Sequence, residues 1–131
     1  MKRNMMRWLD ELRNAPVKKP MPILSFPAIQ LMNISVRELI SSSDAQARGM
    51  QLIAQHTNAA ASVSLMDLSV EAECFGADIR ISNEEVPTVV GNVVSNEEQA
   101  RKLPIPSVGT GRTGLYIEAI EKAVSLITDR P

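Results

Sequence analysis

The sequence predicts an α/β fold, and within that class the N-terminal part of a (β/α)8 barrel: two buried parallel strands with crossover helices, then an irregular insertion. Three observations carry this reading. Ala60-Ala61-Ser62-Val63-Ser64-Leu65-Met66 is small, largely apolar and uncharged, the pattern of a strand covered on both faces. Met21-Pro22-Ile23-Leu24-Ser25-Phe26-Pro27 is a second apolar run bounded by prolines, which reads as the first strand. The connection between them is long and carries helix signals, as a parallel crossover requires. Two such strands cannot close a barrel, and barrels of this type run to about 250 residues or more. The 131 residues are therefore expected to be the opening third or so of one.

The elements follow in order. Met5, Met6, Leu9 and Leu12 recur at helical spacing ahead of Pro16, Pro20 and Pro22, so residues 1–20 form an amphipathic helix and a rigid linker. Lys2, Arg3 and Arg7 sit beside Asp10 and Glu11, which makes a solvated face of them. Residues 21–81 hold two βα units. In their connection Ser35-Val36-Arg37-Glu38 has capping-box spacing, and Ser43 or Asp44 opens a longer helix with Ala47, Met50, Ile53 and Ala54 on one face. After Met66 the register changes to helix until Gly76, a stop. Residues 82–131 are the insertion and a following helix. Ala77–Ile81 alternates like a short exposed strand, and Glu84–Gly91 is an extended excursion broken by Pro87. Ser95-Asn96-Glu97-Glu98 opens a brief helix, and Tyr116, Ile120, Ala123, Val124 and Ile127 form the apolar stripe of the last one, with Glu118, Glu121 and Lys122 facing water.

Charge and composition narrow the function. Fourteen basic against fifteen acidic residues leave a net charge of -1, which offers no basic footprint for nucleic acid. No apolar run reaches the roughly 20 residues of a membrane span. Cys74 has no partner for a disulfide and nothing resembles a secretory signal, so a cytoplasmic protein is expected. Cys74 reads as a small packed side chain, and His56, the single histidine, as a charge at a helix C-terminus with no second ligand at metal spacing. Gly109-Thr110-Gly111-Arg112-Thr113-Gly114 has the spacing of a dinucleotide fingerprint, but Pro104 and Pro106 forbid the buried strand that must precede it. Flexible glycines ahead of a helix explain it. Asp67 remains as the leading site residue: an acid where a buried strand gives way to helix is where α/β folds gather chemistry. It is equally placed to be a helix N-cap.

Met66-Asp67-Leu68-Ser69-Val70-Glu71-Ala72-Glu73-Cys74-Phe75-Gly76 resembles the strand-to-helix segment of the uroporphyrinogen decarboxylase family, a group of TIM-like barrels that also contains corrinoid-dependent methyltransferases. The family carries an Asp, an aliphatic pair, a small residue and a Gly in that order, and Asp67 matches the acid that contacts substrate pyrrole nitrogens. The likeness continues in layout through Glu85-Val86-Pro87 and the small helix after it, and the family's next strand begins directly after such an Asp129-Arg130-Pro131.

The resemblance implies catalysis at Asp67, with Phe26, Gln30 and Glu71 as substrate-binding positions and Glu73 a weaker candidate. Decarboxylases of the family have an arginine-rich segment where this chain has Phe26–Leu31 without arginine, while acids like Glu71 and Glu73 after the Asp are usual in the methyltransferase branch. Methyl transfer between a corrinoid and a thiol or similar acceptor is therefore the function implied, with a small-molecule or corrinoid-protein substrate. Zinc and a corrinoid partner belong to the complete enzyme, no cofactor to this stretch, and these residues alone are expected to be inactive. Two alternatives stand: uroporphyrinogen decarboxylation in porphyrin and heme biosynthesis, or a non-catalytic fragment that pairs through exposed strand edges as a homodimer or strand-exchanged oligomer.

Overall fold

Helix signals in the middle of the chain are obeyed closely. The Ser35 hydroxyl accepts from the Glu38 amide while the Glu38 carboxylate accepts from the Ser35 amide, a complete capping box, satisfying two donors that helix starts leave free. Ser42 caps the next helix by accepting from the Ala45 amide. In the computed structural model, which describes residues 3–131, the order is α1 (Met5–Asn14), α2 (Ala28–Met32), α3 (Val36–Ile40), α4 (Ser43–His56), α5 (Val70–Cys74), β1 (Asp78–Arg80), β2 (Thr88–Val90), α6 (Glu97–Lys102) and α7 (Arg112–Leu126). The architecture is α/β, with helices dominant and a small two-stranded sheet. β1 and β2 pair antiparallel, Ile79 opposite Val89. The alternation over residues 77–81 thus does mark a strand, and the extended excursion supplies its partner.

Two apolar clusters hold the helices. Ala47, Met50 and Ala54 of α4 pack on Ala123 of α7 and on Ile127 just beyond it. The polar contacts beside this seam advance together along both helices: Ser43 meets Glu118 and Lys122, and Gln51 reaches the Leu126 carbonyl. The two helices therefore run in the same direction, as helices of successive βα units do. The second cluster, Val36, Leu39, Ile40 and Leu65, is flanked by Phe26, Ile29, Met32 and Tyr116. α2 settles on α4 at Gly49, where a Cβ would lie 3.0 Å from that of Ala28.

The face that α7 buries keeps Ala123, Ile127 and the half-buried Tyr116 of the expected stripe and departs from it at Ile120 and Val124. Ala119, Ala123 and Ile127 are buried, whereas Val124 is 70% exposed and Ile120 nearly half exposed. The small Ala119 and Ala123, at i and i+4, allow the close approach to α4, and Val124 is turned about 100° away from Ala123 by the helix itself. Glu118 and Lys122, expected in water, flank the seam, with Lys122 also paired to Asp44 at 2.8 Å.

The two expected parallel strands are extended segments without a ladder. The Ala60 amide donates to the Pro20 carbonyl, and the Ser25 hydroxyl to the carbonyls of Val63 and Ser64, so the segments lie side by side and advance in parallel. The Ser62 amide donates to the Pro131 carbonyl, and Arg130 to the carbonyls of Thr57 and Ala59, placing the chain end along the other side of residues 57–62. Pro20, Pro22 and Pro27 have no N–H to give, so a continuous ladder cannot form there. Nor are both faces covered: Met21, Ile23 and Met66 are each about half exposed. The first run ends in helix α2, which carries Gln30.

α1 is amphipathic as expected, and none of its residues is buried. Lys18 donates to the carbonyls of Leu12 and Arg13, closing the helix end. Lys2, expected on its solvated face, lies outside the described residues. Among those residues no helix is long and apolar enough to cross a membrane.

Replacing Ser35 by Ala removes one half of the capping box. Stability is expected to fall by about 1 kcal/mol, read as a lower urea midpoint with an unchanged slope.

Candidate functional site around Asp67

Asp67 is placed by the turn that leads into α5. Its Oδ1 accepts from the Ser69 amide at 2.9 Å and the Ser69 hydroxyl at 2.6 Å, a side chain reaching two residues forward as Asp does in tight turns. The residue flanking α5 is Ser69, so Asp67 shapes the entry to the helix from just outside it. Its Oδ2 accepts from Arg112 Nη1 and, at 2.9 Å, from the Tyr116 hydroxyl. Both partners stand on the first turns of α7, four residues apart and hence on one face. The Asp67 side chain is fully buried and that of Arg112 is 10% exposed. Arg112 also donates from Nε to Glu73 at 2.6 Å and from Nη2 to the Ser69 hydroxyl at 3.0 Å.

Glycines bring Arg112 to this position. Gly111 precedes α7 at φ +58°, ψ -140°, a conformation open to glycine and costly for other residues. A Cβ at Gly114 would lie 2.8 Å from the Gly109 carbonyl oxygen, so its absence lets the loop fold down on the helix. The motif with fingerprint spacing is thus the loop that delivers Arg112.

The electrostatics follow from the bonds. Burial alone would raise the Asp67 carboxyl, but hydrogen bonds from Ser69, Arg112 and Tyr116 outweigh it and hold the group below its usual range. Burial likewise opposes the charge of Arg112, and its bonds to Asp67 and Glu73 reverse that, leaving it more basic than usual. The Tyr116 hydroxyl is pushed far up by burial, then by Asp67 and Glu71. An ionised carboxylate offers about four lone-pair directions; here four donors take them. Asp67 is therefore held here as an anchored anion.

Beside this network α5, α7 and the loop before α7 enclose a cleft of about 340 Å³, at the small end of ligand sites. Its walls include Glu71, Cys74, Phe75, Val108, Thr113 and Tyr116. Glu71 lines this cleft, while Glu73 turns to Arg112. Phe26 is half-buried against the Val36–Leu65 cluster, and Gln30 is exposed on α2; neither joins the described hydrogen bonds around Asp67. Arg112 and Tyr116 were not singled out from the sequence. A signal existed: an arginine opening a helix opposes the helix dipole and needs an acid nearby.

The zinc that the resemblance implies is expected of the complete enzyme and not of these residues. Among those described, no three of His, Cys, Asp and Glu are grouped to hold a metal ion. The Cys74 thiol donates to the Thr110 carbonyl, and His56 Nδ1 meets the Leu52 carbonyl at 2.8 Å.

No family model matches the chain. Its fold is similar to that of a solved methyltransferase from Methanosarcina mazei, with a TM-score of 0.75 over 95% of this chain and 39% of that one, at 18% identity. A stretch of 56 residues, 42% of this chain and 16% of the relative, is 41% identical to the methylcobamide:CoM methyltransferase MtbA of Methanosarcina acetivorans. The chain thus spans well under half the length of either protein.

Two outcomes test the network. Arg112→Ala leaves a buried carboxylate without its cation, so unfolding free energy should drop by about 3 kcal/mol, measured by urea titration. Because the folded-state carboxyl of Asp67 is depressed, its contribution is complete above the ordinary Asp range and is lost as pH falls through the lower folded value. Acid titration of the parent should therefore show a loss of stability below that range that is much smaller in Asp67→Asn.

Proposed function

We propose that the chain is the N-terminal part of a corrinoid-dependent methyltransferase built as a β/α barrel, transferring a methyl group between a corrinoid and a thiol or similar acceptor. The single observation that carries this reading is the 41% identity over 56 residues to a methylcobamide:CoM methyltransferase. The methyltransferase-like fold and the side-by-side run of residues 20–25, 57–64 and 131 agree with it. In this reading Asp67 is a positioning residue. It fixes Tyr116 and the Gly109–Gly111 loop at one wall of the pocket, and Arg112 keeps it charged. Ring and loop then meet substrate in place of the carboxylate itself.

Decarboxylation of a porphyrinogen is less well supported by this geometry. A polycarboxylate needs cationic donors free to clamp it, and Arg112, the guanidinium at this site, is already shared by Asp67 and Glu73.

The test is a graft. With this chain replacing the matching portion of the Methanosarcina acetivorans enzyme, methylcobamide-dependent methylation of CoM should persist, whereas the 131 residues alone should be inert. A graft that folds, fails in methyl transfer and consumes uroporphyrinogen would remove the proposal.

A further inference from the structure

The β1–β2 hairpin ends in open edges. Its strands pair only with each other among the described residues, and the backbone groups of Asp78, Ile79 and Arg80 enter no described backbone hydrogen bond outside that pair. Such an edge is a ready template for a further strand. Side chains alternate along a strand, so Asp78 and Arg80 project from one face of β1, while Ile79 lies on the other beside its cross-strand partner Val89. Asp78 and Arg80 are both exposed. Among the described residues neither joins an ion pair, although eight such pairs occur elsewhere. A strand therefore carries two opposite charges, two residues apart on one face, with no counter-charge of its own chain.

We propose that the free edge of β1 is a self-association surface, on which the β1 of a second copy of this chain adds antiparallel about a two-fold axis at Ile79. That register sets Asp78 of one copy directly opposite Arg80 of the other, twice over, and opposite charges at such positions stabilise a sheet where like charges destabilise it. On the other face the two Ile79 side chains meet, and Val89 of each copy, 39% exposed, extends them into an apolar row of four across the sheet. Other edges lack this match. The outer side of β2 carries Thr88, Val89 and Val90, with no charge to fix a register, and residues 20–27 have prolines where a ladder needs amides. Three residues of strand span about 10 Å. The contact is thus smaller than the roughly 1,200 Å² of a standard interface, and the dimer is weak and concentration-dependent. It makes no use of the Asp67 network and does not depend on the methyl-transfer reading.

The experiment is sedimentation equilibrium of the 131-residue chain over a concentration series at low salt, where monomer and dimer should exchange. Asp78→Arg sets like charges opposite each other across the axis, as does Arg80→Asp, and each should weaken dimerisation about tenfold. Mixed in equal amounts, the two variants should recover a heterodimer of near-parental strength, because every cross-strand pair is then of opposite charge. Both positions are exposed, so the variants should keep the parent fold, checked by circular dichroism. A parent chain that stays monomeric at the highest concentration overturns the proposal. So does association unchanged in both single variants, which would put the contact on another face, or a mixture that associates no more strongly than either variant alone.

Discussion

One buried carboxylate orders this half of the molecule. Removing an ion from water costs several kcal/mol after relaxation, so a fully buried Asp67 is tolerated only with its lone pairs satisfied. Ser69 meets that need from within the same turn, Arg112 and Tyr116 from across the structure. The long-range partners join α5 to α7. Without them the turn after Met66 and the glycine loop before α7 would have little reason to approach each other, because α5 buries only Val70.

The remaining framework is apolar and local. α4 and α7 lie in parallel along a seam of alanines that permits close approach, and α3 closes the other cluster over Leu65. Prolines keep the extended segments at residues 20–27 from laddering, so their order comes from single carbonyl contacts and from Ser25. The fold thus positions the site through helix packing and one ionic node, with the small β1–β2 pair to one side.

Much of the helical organisation was legible because its signals are local. Ser35-x-x-Glu38 can be read from four letters, and the structure contains that box; Ser95-Asn96-Glu97-Glu98 likewise marks α6, although Asn96 is the capping residue and Ser95 donates its amide to Gln99. Local pattern failed where distance decided. Pro20, Pro22 and Pro27 already bar a continuous ladder around Met21, but nothing near Ala60 says whether that run will find ladder partners, and neither run does. The stripe on α7, assigned by apolarity, holds at Ala123 and Ile127, whereas Ile120 and Val124 face outward and burial went instead to the small Ala119. Asp67 was found as a special position from its place after an uncharged run. Its neutralising partner lies 45 residues away in sequence, hidden inside a glycine pattern that invites a different reading.

The sharing of one guanidinium by Asp67 and Glu73 also limits how the chain can vary over evolutionary time. With Arg112 replaced by a neutral residue, two acids would stand close together with no counter-charge; with Asp67 neutralised, Arg112 would keep Glu73 and lose half of its anchorage. Positions 67, 73 and 112 are thereby tied into a single unit of inheritance, able to change together far more readily than one at a time.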